Sequence, residues 1–369
     1  GFALIDREGQ LSSHKSLGRV AALEAAQKAT PLSGGTGIAH TRWATHGAPS
    51  VANAHPHIVN DRIAVVHNGI IENHEALRAS LTAQGCQFAS ETDTEVVAHL
   101  IALAIKDDGQ DLLAALRQVL PQLKGAYALA VIDRQSPDEL VVARQGSPLV
   151  LGIGLGENFA GSDTLALQSV TDTFIYLEEG DVAQLTADSY AIFNADSDPV
   201  DRSQNRLALR PEGEGLGRYD HYMRKEIFEQ PARLRDMITG ATADDRAFGA
   251  RATELFSRVQ AVQILACGTS YHAGLVARHW IESLTGLPCQ VEVASEYRYR
   301  DAVVLPNTLM VGISQSGETA DTLAALEHVG VENVLARLAI CNVDHSAMVR
   351  ACELVYLTQA GAEIGVAST

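Results

Sequence analysis

The stretch Leu309-Met-Val-Gly-Ile-Ser-Gln-Ser-Gly-Glu-Thr319 decides the fold of the second half of the chain. Its first five residues are mostly apolar and predict a buried strand, and the remaining six place hydroxyl groups and a glycine where a helix should begin. A helix N-terminus offers free backbone N–H groups and a favourable dipole to an anion. The stretch therefore predicts a phosphate site that contains Ser314, Ser316 and Thr319. The alternative is that these hydroxyls only cap the helix.

A second turn of the same kind, Cys267-Gly-Thr-Ser270, follows the predicted strand 262–266. Around the two turns, further strands are predicted at 290–294, 309–313, 338–341 and 354–357, and helices at 219–238, 271–284 and 319–328. Strands that alternate with helices predict a parallel, doubly wound sheet, and such sheets bind ligands at the carboxyl ends of their strands. Two hydroxyl-rich turns at that edge can hold a phosphate without Lys or Arg.

The first half has a different order of elements. Helices are predicted at 17–29, 94–105 and 111–123, and strands at 2–5, 37–45, 63–67 and 86–89, with six more between 126 and 193. A block of helices within a block of strands predicts packed sheets covered by helices. The polar segment 196–217 is rich in Asp, Ser, Pro and Gly and predicts a linker. We therefore expect domains at 1–195 and 218–369.

Three polar clusters in the first half suggest a site that handles an amide: Thr41-Arg-Trp-Ala-Thr-His-Gly47, His67-Asn-Gly-Ile-Ile-Glu-Asn73 and Glu91-Thr-Asp-Thr-Glu95. Arg42 can clamp a carboxylate through two hydrogen bonds, and Asp93 can hold an α-ammonium group. The side chain of Asn68 and the N–H of Gly69 can form an oxyanion hole. The alternatives are a structural ion pair for Arg42, a hairpin turn for Asn68-Gly69 and a helix cap for Asp93.

Composition narrows the class of protein. The 369 residues carry a formal net charge of −17, which disfavours binding to nucleic acid or to anionic membranes. No apolar run is long enough to span a bilayer. Five cysteines without a CxxC pair indicate reduced thiols in a cytoplasmic protein. His55 and His57 lack partners at metal-ligand spacing and are interpreted as packing residues, so no metal site is predicted.

Taken together, these motifs resemble the glutamine–fructose-6-phosphate aminotransferase (isomerising) family, also called glucosamine-6-phosphate synthases. The resemblance covers nearly the whole chain and rests on GTGIAHTRWATHG, NAHPH, VVHNGIIEN, SETDTEV, YDHYMRKEIFEQP, ILACGTSY, SQSGETADTL and AEIGVAST. It implies an N-terminal-nucleophile αββα sandwich of the class II glutamine amidotransferases, followed by a sugar isomerase (SIS) domain. It also implies glutamine and fructose 6-phosphate as substrates, a role in amino-sugar biosynthesis, no metal or redox cofactor, and a homodimer.

The resemblance assigns roles to individual residues. Arg42, Thr45, His46 and Asp93 would bind glutamine, Trp43 would help to close the path of ammonia, and Asn68 and Gly69 would form the oxyanion hole. The sugar phosphate would be held by Thr269, Ser270, Ser314, Gln315, Ser316 and Thr319, with Val366 and Ser368 lining the same pocket.

The chain departs from the family pattern at both ends. The family nucleophile is an N-terminal cysteine, whereas this sequence begins with Gly1, and a second SIS domain is missing. We therefore expect a sequence truncated at both ends, assign no nucleophile, and expect no activity from the chain alone. The other functions considered are a SIS-type sugar-phosphate sensor, an aminotransferase or deglycase for another sugar phosphate, and a phosphoribosyl-type amidotransferase.

Overall fold

A computed structural model describes residues 1–42, 46–108, 110–206, 216–240, 244–330, 334–344, 346–361 and 363–365. The chain divides into two compact units, Gly1–Arg210 and Pro211–Thr369. Within the described ranges, no helix has the length and apolar character needed to cross a membrane.

The first unit contains thirteen described strands and four described α-helices. The strands are β1 (Phe2–Ile5), β2 (Leu11–His14), β3 (Thr36–Ala39), β4 (His57–Val59), β5 (Ile63–Ile71), β6 (Gly125–Asp133), β7 (Ser136–Gln145), β8 (Val150–Ile153), β9 (Asn158–Gly161), β10 (Thr173–Tyr176), β11 (Val182–Leu185), β12 (Tyr190–Phe193) and β13 (Gln204–Arg206). The helices are α1 (Val20–Ala29), α2 (His74–Ala83), α3 (Thr94–Asp108) and α4 (Leu112–Val119).

A six-stranded antiparallel sheet of order β12-β11-β7-β6-β5-β4 forms the centre of this unit. Alternate residues of β5 point to opposite faces, as in any strand. Ile63 and Val65 pack with α3 and α4, whereas Ala64 and Val66 pack with residues of β1 and β3. Farther along the second face, the sheet packs against β8 and β10 of a four-stranded sheet. The predicted arrangement of packed sheets with a helix layer is confirmed.

Several predicted elements of the first unit need correction. Residues 86–89 form a loop instead of a strand, because Phe88 packs against Arg78 and His99. Of the strand predicted at 37–45, residues 37–39 belong to β3, residues 40–42 are not in a strand, and residues 43–45 lie outside the described residues. The strand predicted at 63–67 continues to Ile71. Asn68 and Gly69 therefore lie within a strand, and the hairpin-turn alternative is wrong.

The predicted linker at 196–217 begins too early. Strand β13 pairs with β10, so the chain is still part of a sheet at Arg206. Arg202 donates two hydrogen bonds, of 2.9 and 2.8 Å, to the fully buried carboxylate of Asp181. A buried carboxylate needs such a partner, and this ion pair fastens the segment to the first unit.

The second unit is an α/β domain. Its strands are β14 (Ala261–Ala266), β15 (Cys289–Val293), β16 (Thr308–Ser314), β17 (Ala336–Cys341) and β18 (Leu354–Leu357). Its described α-helices are α5 (Tyr222–Gly240), α6 (Ala252–Phe256), α7 (Gly268–Thr285), α8 (Ala294–Tyr297), α9 (Ala320–His328) and α10 (Ala347–Arg350).

The strands of the second unit form one parallel sheet of order β15-β14-β16-β17-β18, which confirms the predicted doubly wound topology. Ile264 and Val311 pack on one face, and Leu265 and Met310 pack on the other. Burial on both faces explains the continuous apolar runs of these strands. The strand order reverses direction between β14 and β16, and this reversal brings the two hydroxyl-rich turns together.

Candidate active site

The backbone at Asn68 and Gly69 is the geometric centre of the first candidate site. Both residues lie in β5, opposite Ala128 and Tyr127 of β6. Gly69 has a φ of +137°, and a Cβ atom at this position would lie 2.0 Å from the carbonyl oxygen of Ala126. Only glycine fits there. The exposed side chain of Asn68 lines a cavity of about 540 Å³, together with His40, Thr41 and His67.

Asp93 joins the start of α3 to the end of β5. Its Oδ2 atom accepts the backbone N–H of Ile71 at 2.8 Å and lies 3.8 Å from Nδ1 of His67. The same Nδ1 atom lies 3.0 Å from the hydroxyl of Thr94. The two polar clusters that contain Asn68 and Asp93 are therefore brought together. The Asp93 carboxylate binds the backbone at the end of β5, so its role is not limited to capping α3.

Arg42 is held by backbone carbonyl groups. Its Nη2 atom donates hydrogen bonds to the carbonyl oxygens of His46 and Gly47. Within the described ranges, these carbonyl partners take the place of the ion pair that was the alternative interpretation. Arg42 also lines a cavity of about 200 Å³ with His40, Thr41 and His55. This position leaves the guanidinium beside the open space where a carboxylate could bind.

Asn53 connects the loop after Arg42 to the segment before α3. Its amide donates to the carbonyl oxygen of Ala48 at 2.8 Å, and its Oδ1 atom accepts the N–H of Glu91 at 2.9 Å. His46, in the same loop, places its ring 4.7 Å from the ring of His74. The first and third polar clusters are thus also neighbours. Trp43 and Thr45 lie outside the described residues.

A group of packed histidines lies beside these residues, and sequence reasoning missed it as a unit. The ring of His55 lies 4.3 Å from that of His40 and 4.9 Å from that of His57. Nε2 of His57 lies 2.9 Å from the hydroxyl of Thr92. His55 and His57 are buried packing residues, as predicted. Among the described residues, no three His, Cys, Asp or Glu side chains are placed to hold a metal.

Burial keeps these histidines neutral. Removal from water, together with the neighbouring His67, lowers the pKa of His40 to about 4, and removal from water near Lys15 lowers that of His57 to about 3. The only sequence signal for the cluster was the density of histidines in the AHPH and VVHNG segments. A neutral imidazole can accept as well as donate a hydrogen bond, so the cluster adds polar contacts to the site without adding positive charge.

We expect acid to destabilise the first unit through these histidines. Their folded pKa values lie below the ordinary value of 6.5, so their contribution is complete above that pH and is lost as the pH falls towards 4 and 3. For His40, the loss between about pH 7 and pH 4 is on the order of 2–3 kcal/mol. Calorimetric unfolding over this range should show a smaller decline in His40→Asn, whereas His14→Asn, outside the cluster, should decline like the unaltered chain. Equal declines in all three would contradict this explanation.

The second candidate site lies at the carboxyl edge of the parallel sheet. Oγ of Ser314 accepts the N–H of Gly317 at 3.0 Å and lies 3.0 Å from Oγ1 of Thr319. Oγ of Ser316 accepts the N–H of Glu318 at 3.2 Å. Gly317 has a φ of +67°, a backbone conformation that favours glycine. The hydroxyls of Ser314 and Ser316 therefore stabilise the conformation of the turn through hydrogen bonds within it.

A cavity of about 250 Å³ opens at this edge and is lined by Ser270, Ser314 and Gln315. Thr269 lies in the first turn of α7, next to Ser270. One wall comes from α5, which sequence reasoning did not connect with the site, and it contributes Glu226, Glu229, Gln230 and Arg233. The wall thus contains an arginine in addition to the hydroxyl-rich turns. Val366 and Ser368 lie outside the described residues.

The folds and sites of the two units define a class II glutamine amidotransferase domain followed by a SIS domain. In agreement, residues 40–168 match the glutamine amidotransferase domain model, and residues 255–369 match the SIS domain model.

The chain is homologous over its whole length to proteins named glutamine–fructose-6-phosphate aminotransferase (isomerizing). It is 54% identical to the protein of that name from Pseudomonas aeruginosa and 52% identical to the one from Escherichia coli O6:H1. Both alignments cover 100% of this chain and 61% of the relative, so the chain spans about three fifths of the length of these relatives. A solved structure of the C-terminal domain of glucosamine-fructose-6-phosphate aminotransferase from Francisella tularensis is 48% identical over 42% of this chain and 44% of that chain, with a TM-score of 0.40.

Proposed function

We propose that a protein containing this chain, and as long as its relatives, hydrolyses glutamine in the first domain. The second domain would use the ammonia to convert fructose 6-phosphate into glucosamine 6-phosphate. The observation that carries the proposal is the presence of two sites in one chain. The first has Asn68-Gly69, Asp93 bonded to the end of the same strand, and Arg42 in a neighbouring cavity that shares His40 and Thr41. The second has the hydroxyl-lined turns at Ser270 and Ser314. The product would feed amino-sugar biosynthesis.

In the proposed mechanism, Arg42 holds the α-carboxylate of glutamine and Asp93 holds its α-ammonium group. The guanidinium is oriented for this role by the carbonyl groups of His46 and Gly47. When a nucleophile attacks the side-chain amide, negative charge develops on the amide oxygen. The side-chain amide of Asn68 and the N–H of Gly69 would donate to that oxygen and lower the barrier.

We assign no nucleophile to the described residues. Burial raises the pKa of the thiols of Cys86 and Cys341, that of Cys289 to about 11 and that of Cys352 to about 12. These cysteines are therefore protonated at neutral pH, and the thiol is a much weaker nucleophile than the thiolate.

In the second domain, the turns after β14 and β16 would hold the phosphate of the sugar. The N-termini of α7 and α9 provide free N–H groups and favourable dipoles, and the hydroxyls add directed hydrogen bonds. Ammonia would attack the C2 carbonyl of the bound sugar, loss of water would give an imine, and a proton shift would give the aldose amine.

The test is product formation by the full-length gene product with glutamine and fructose 6-phosphate, followed by mass spectrometry. Equal amounts of glutamate and glucosamine 6-phosphate would support the proposal. Glutamate without the amino sugar would favour an aminotransferase or deglycase for another sugar phosphate. Absence of both products, with binding of the sugar phosphate retained, would favour a sensor.

Replacing Ser314 by alanine should weaken fructose 6-phosphate binding about ten-fold, because the turn loses a buried hydroxyl that bonds Gly317 and Thr319. The glutaminase activity should stay within about two-fold, since Ser314 lies in the other unit. Titration calorimetry measures the binding. Ser283→Ala, which removes an exposed hydroxyl from α7, is the matched control. Equal affinities for both variants would exclude this turn from the site.

We further propose that the protein acts in the cytoplasm as a homodimer. All five cysteines are free thiols, which supports a reducing compartment. Light scattering of the purified full-length protein gives the oligomeric state directly, and a monomer over the micromolar range would reject the dimer.

A further inference from the structure

Helix α5 contacts the segment that follows β18 through one carboxylate. Oε1 of Glu226 accepts the backbone N–H of Ile364 at 2.6 Å and that of Gly365 at 2.9 Å. These residues are more than 130 positions apart in the chain. We propose that Glu226 is a positioning residue, which holds the segment 363–365 so that the sugar-phosphate cavity keeps its shape.

The residues 358–361, which precede this segment, are held by Asn342. The Nδ2 atom of Asn342 donates to the carbonyl oxygen of Gly361, and its Oδ1 atom accepts the N–H of Ala360 and the hydroxyl of Thr358. Glu226, Asn342 and Thr358 all line the 250 Å³ cavity with Ser270, Ser314 and Gln315. Residues 358–361 and the segment 363–365 therefore both contribute to the wall of the cavity, and each is held by one side chain, Asn342 and Glu226 respectively.

The contact with Glu226 is close. A Cβ atom at position 365 would lie 2.5 Å from Oε2 of Glu226 and 3.4 Å from Cα of Met223. An added side chain would therefore push the Glu226 carboxylate away from its present position. A carboxylate that accepts two N–H groups makes stronger hydrogen bonds than a neutral acceptor, which suits a contact that holds a loop.

The inference deepens the proposed function, since it assigns Glu226 to the fructose 6-phosphate site. Removing the carboxylate frees two backbone N–H groups and lets the wall move. When the sugar phosphate binds, part of the binding free energy is then used to order the segment 363–365, so the affinity for the sugar phosphate falls. The glutamine site lies in the other unit and should not respond.

The experiment compares Glu226→Ala, Glu226→Gln and Asp236→Ala in the full-length protein. Asp236 is an exposed acidic residue of the same helix that does not line the cavity, so it controls for the loss of a negative charge from α5. We expect the Kd for fructose 6-phosphate to rise about ten-fold in Glu226→Ala and less than about three-fold in Glu226→Gln, because the amide oxygen can still accept. Asp236→Ala should stay within about two-fold, and glutaminase kcat and KM should be unchanged in all three variants.

Hydrogen exchange of peptides covering residues 360–369 gives a readout that does not need the sugar. Exchange should quicken in Glu226→Ala and be restored in Glu226→Gln. Gly365→Ala should also quicken exchange and raise the Kd for fructose 6-phosphate. The double variant Glu226→Ala/Gly365→Ala should show no larger change in exchange or Kd than Gly365→Ala alone, because both changes break the same contact.

Unchanged Kd and exchange in Glu226→Ala would overturn the inference, and so would an equal loss in Asp236→Ala. If the unaltered protein binds no fructose 6-phosphate, the proposed function fails, and the exchange rates alone then decide whether Glu226 holds the segment.

Discussion

Replacing Asn68 by alanine should lower kcat for glutamine hydrolysis about 100- to 1,000-fold, with little change in KM. The side chain is exposed in the cavity next to Gly69, so its removal takes away one donor to the developing oxyanion. Loss of an interaction made mainly in the transition state affects kcat and kcat/KM equally. The measurement is steady-state glutaminase kinetics on the full-length protein.

The control for Asn68 is its neighbour Ile70, which is also exposed in β5, two positions along. Asn68→Ala and Ile70→Ala should both unfold within a few degrees of the unaltered protein, because neither truncation creates a buried cavity. Only the Asn68 variant should lose activity. Asn68→Asp should be at least as slow as Asn68→Ala, because a carboxylate repels an oxyanion. A kcat within about five-fold of the unaltered value for Asn68→Ala would remove Asn68 from the proposed oxyanion hole.

Replacing Gly69 by alanine should destabilise the first unit and abolish glutaminase activity. The added Cβ would lie 2.0 Å from the carbonyl oxygen of Ala126, which is an atom of the paired strand and cannot swing away like a flexible side chain. The backbone also has a φ of +137°, which is strained for alanine. Together these costs should lower the free energy of unfolding by about 3 kcal/mol or more. Denaturant unfolding followed by circular dichroism measures this loss.

Substitution of Gly85 distinguishes the cost of backbone strain from the cost of the steric contact. It also has a positive φ, of +91°, but a Cβ there would meet no heavy atom within 4 Å. Gly85→Ala should therefore cost only the backbone strain, about 1–2 kcal/mol, and leave activity intact. Equal stability losses in the two variants would show that conformation, and not the contact with Ala126, explains the glycine at position 69.

Sequence reasoning located the strands, turns and helix starts that carry the candidate sites because these signals are local. The run from Leu309 to Thr319 shows a strand, a turn and a helix start within eleven residues, and the structure places all three there. The SETDTEV segment likewise opens α3 as predicted. Periodicity, turn residues and caps act over a few positions, so they can be read without knowing the fold.

Errors arose where tertiary contacts overrode the local pattern. The apolar Phe88 packs under Arg78 instead of joining a strand, and Asn68-Gly69 continues β5 because β6 pairs with it. An Asn-Gly pair favours a hairpin only when no partner strand extends past it.

The sequence by itself determined the two fold classes, the two hydroxyl-rich turns and the polar clusters around Arg42, Asn68 and Asp93. Only the tertiary structure decided which distant residues are joined beside the candidate sites: Asn53 with Glu91, 38 positions apart, and Glu226 with Ile364, 138 positions apart. The physical reason is that hydrogen bonds between remote segments depend on how the sheets and helices pack. That packing is a collective result of burying two cores, and no short stretch of sequence encodes it.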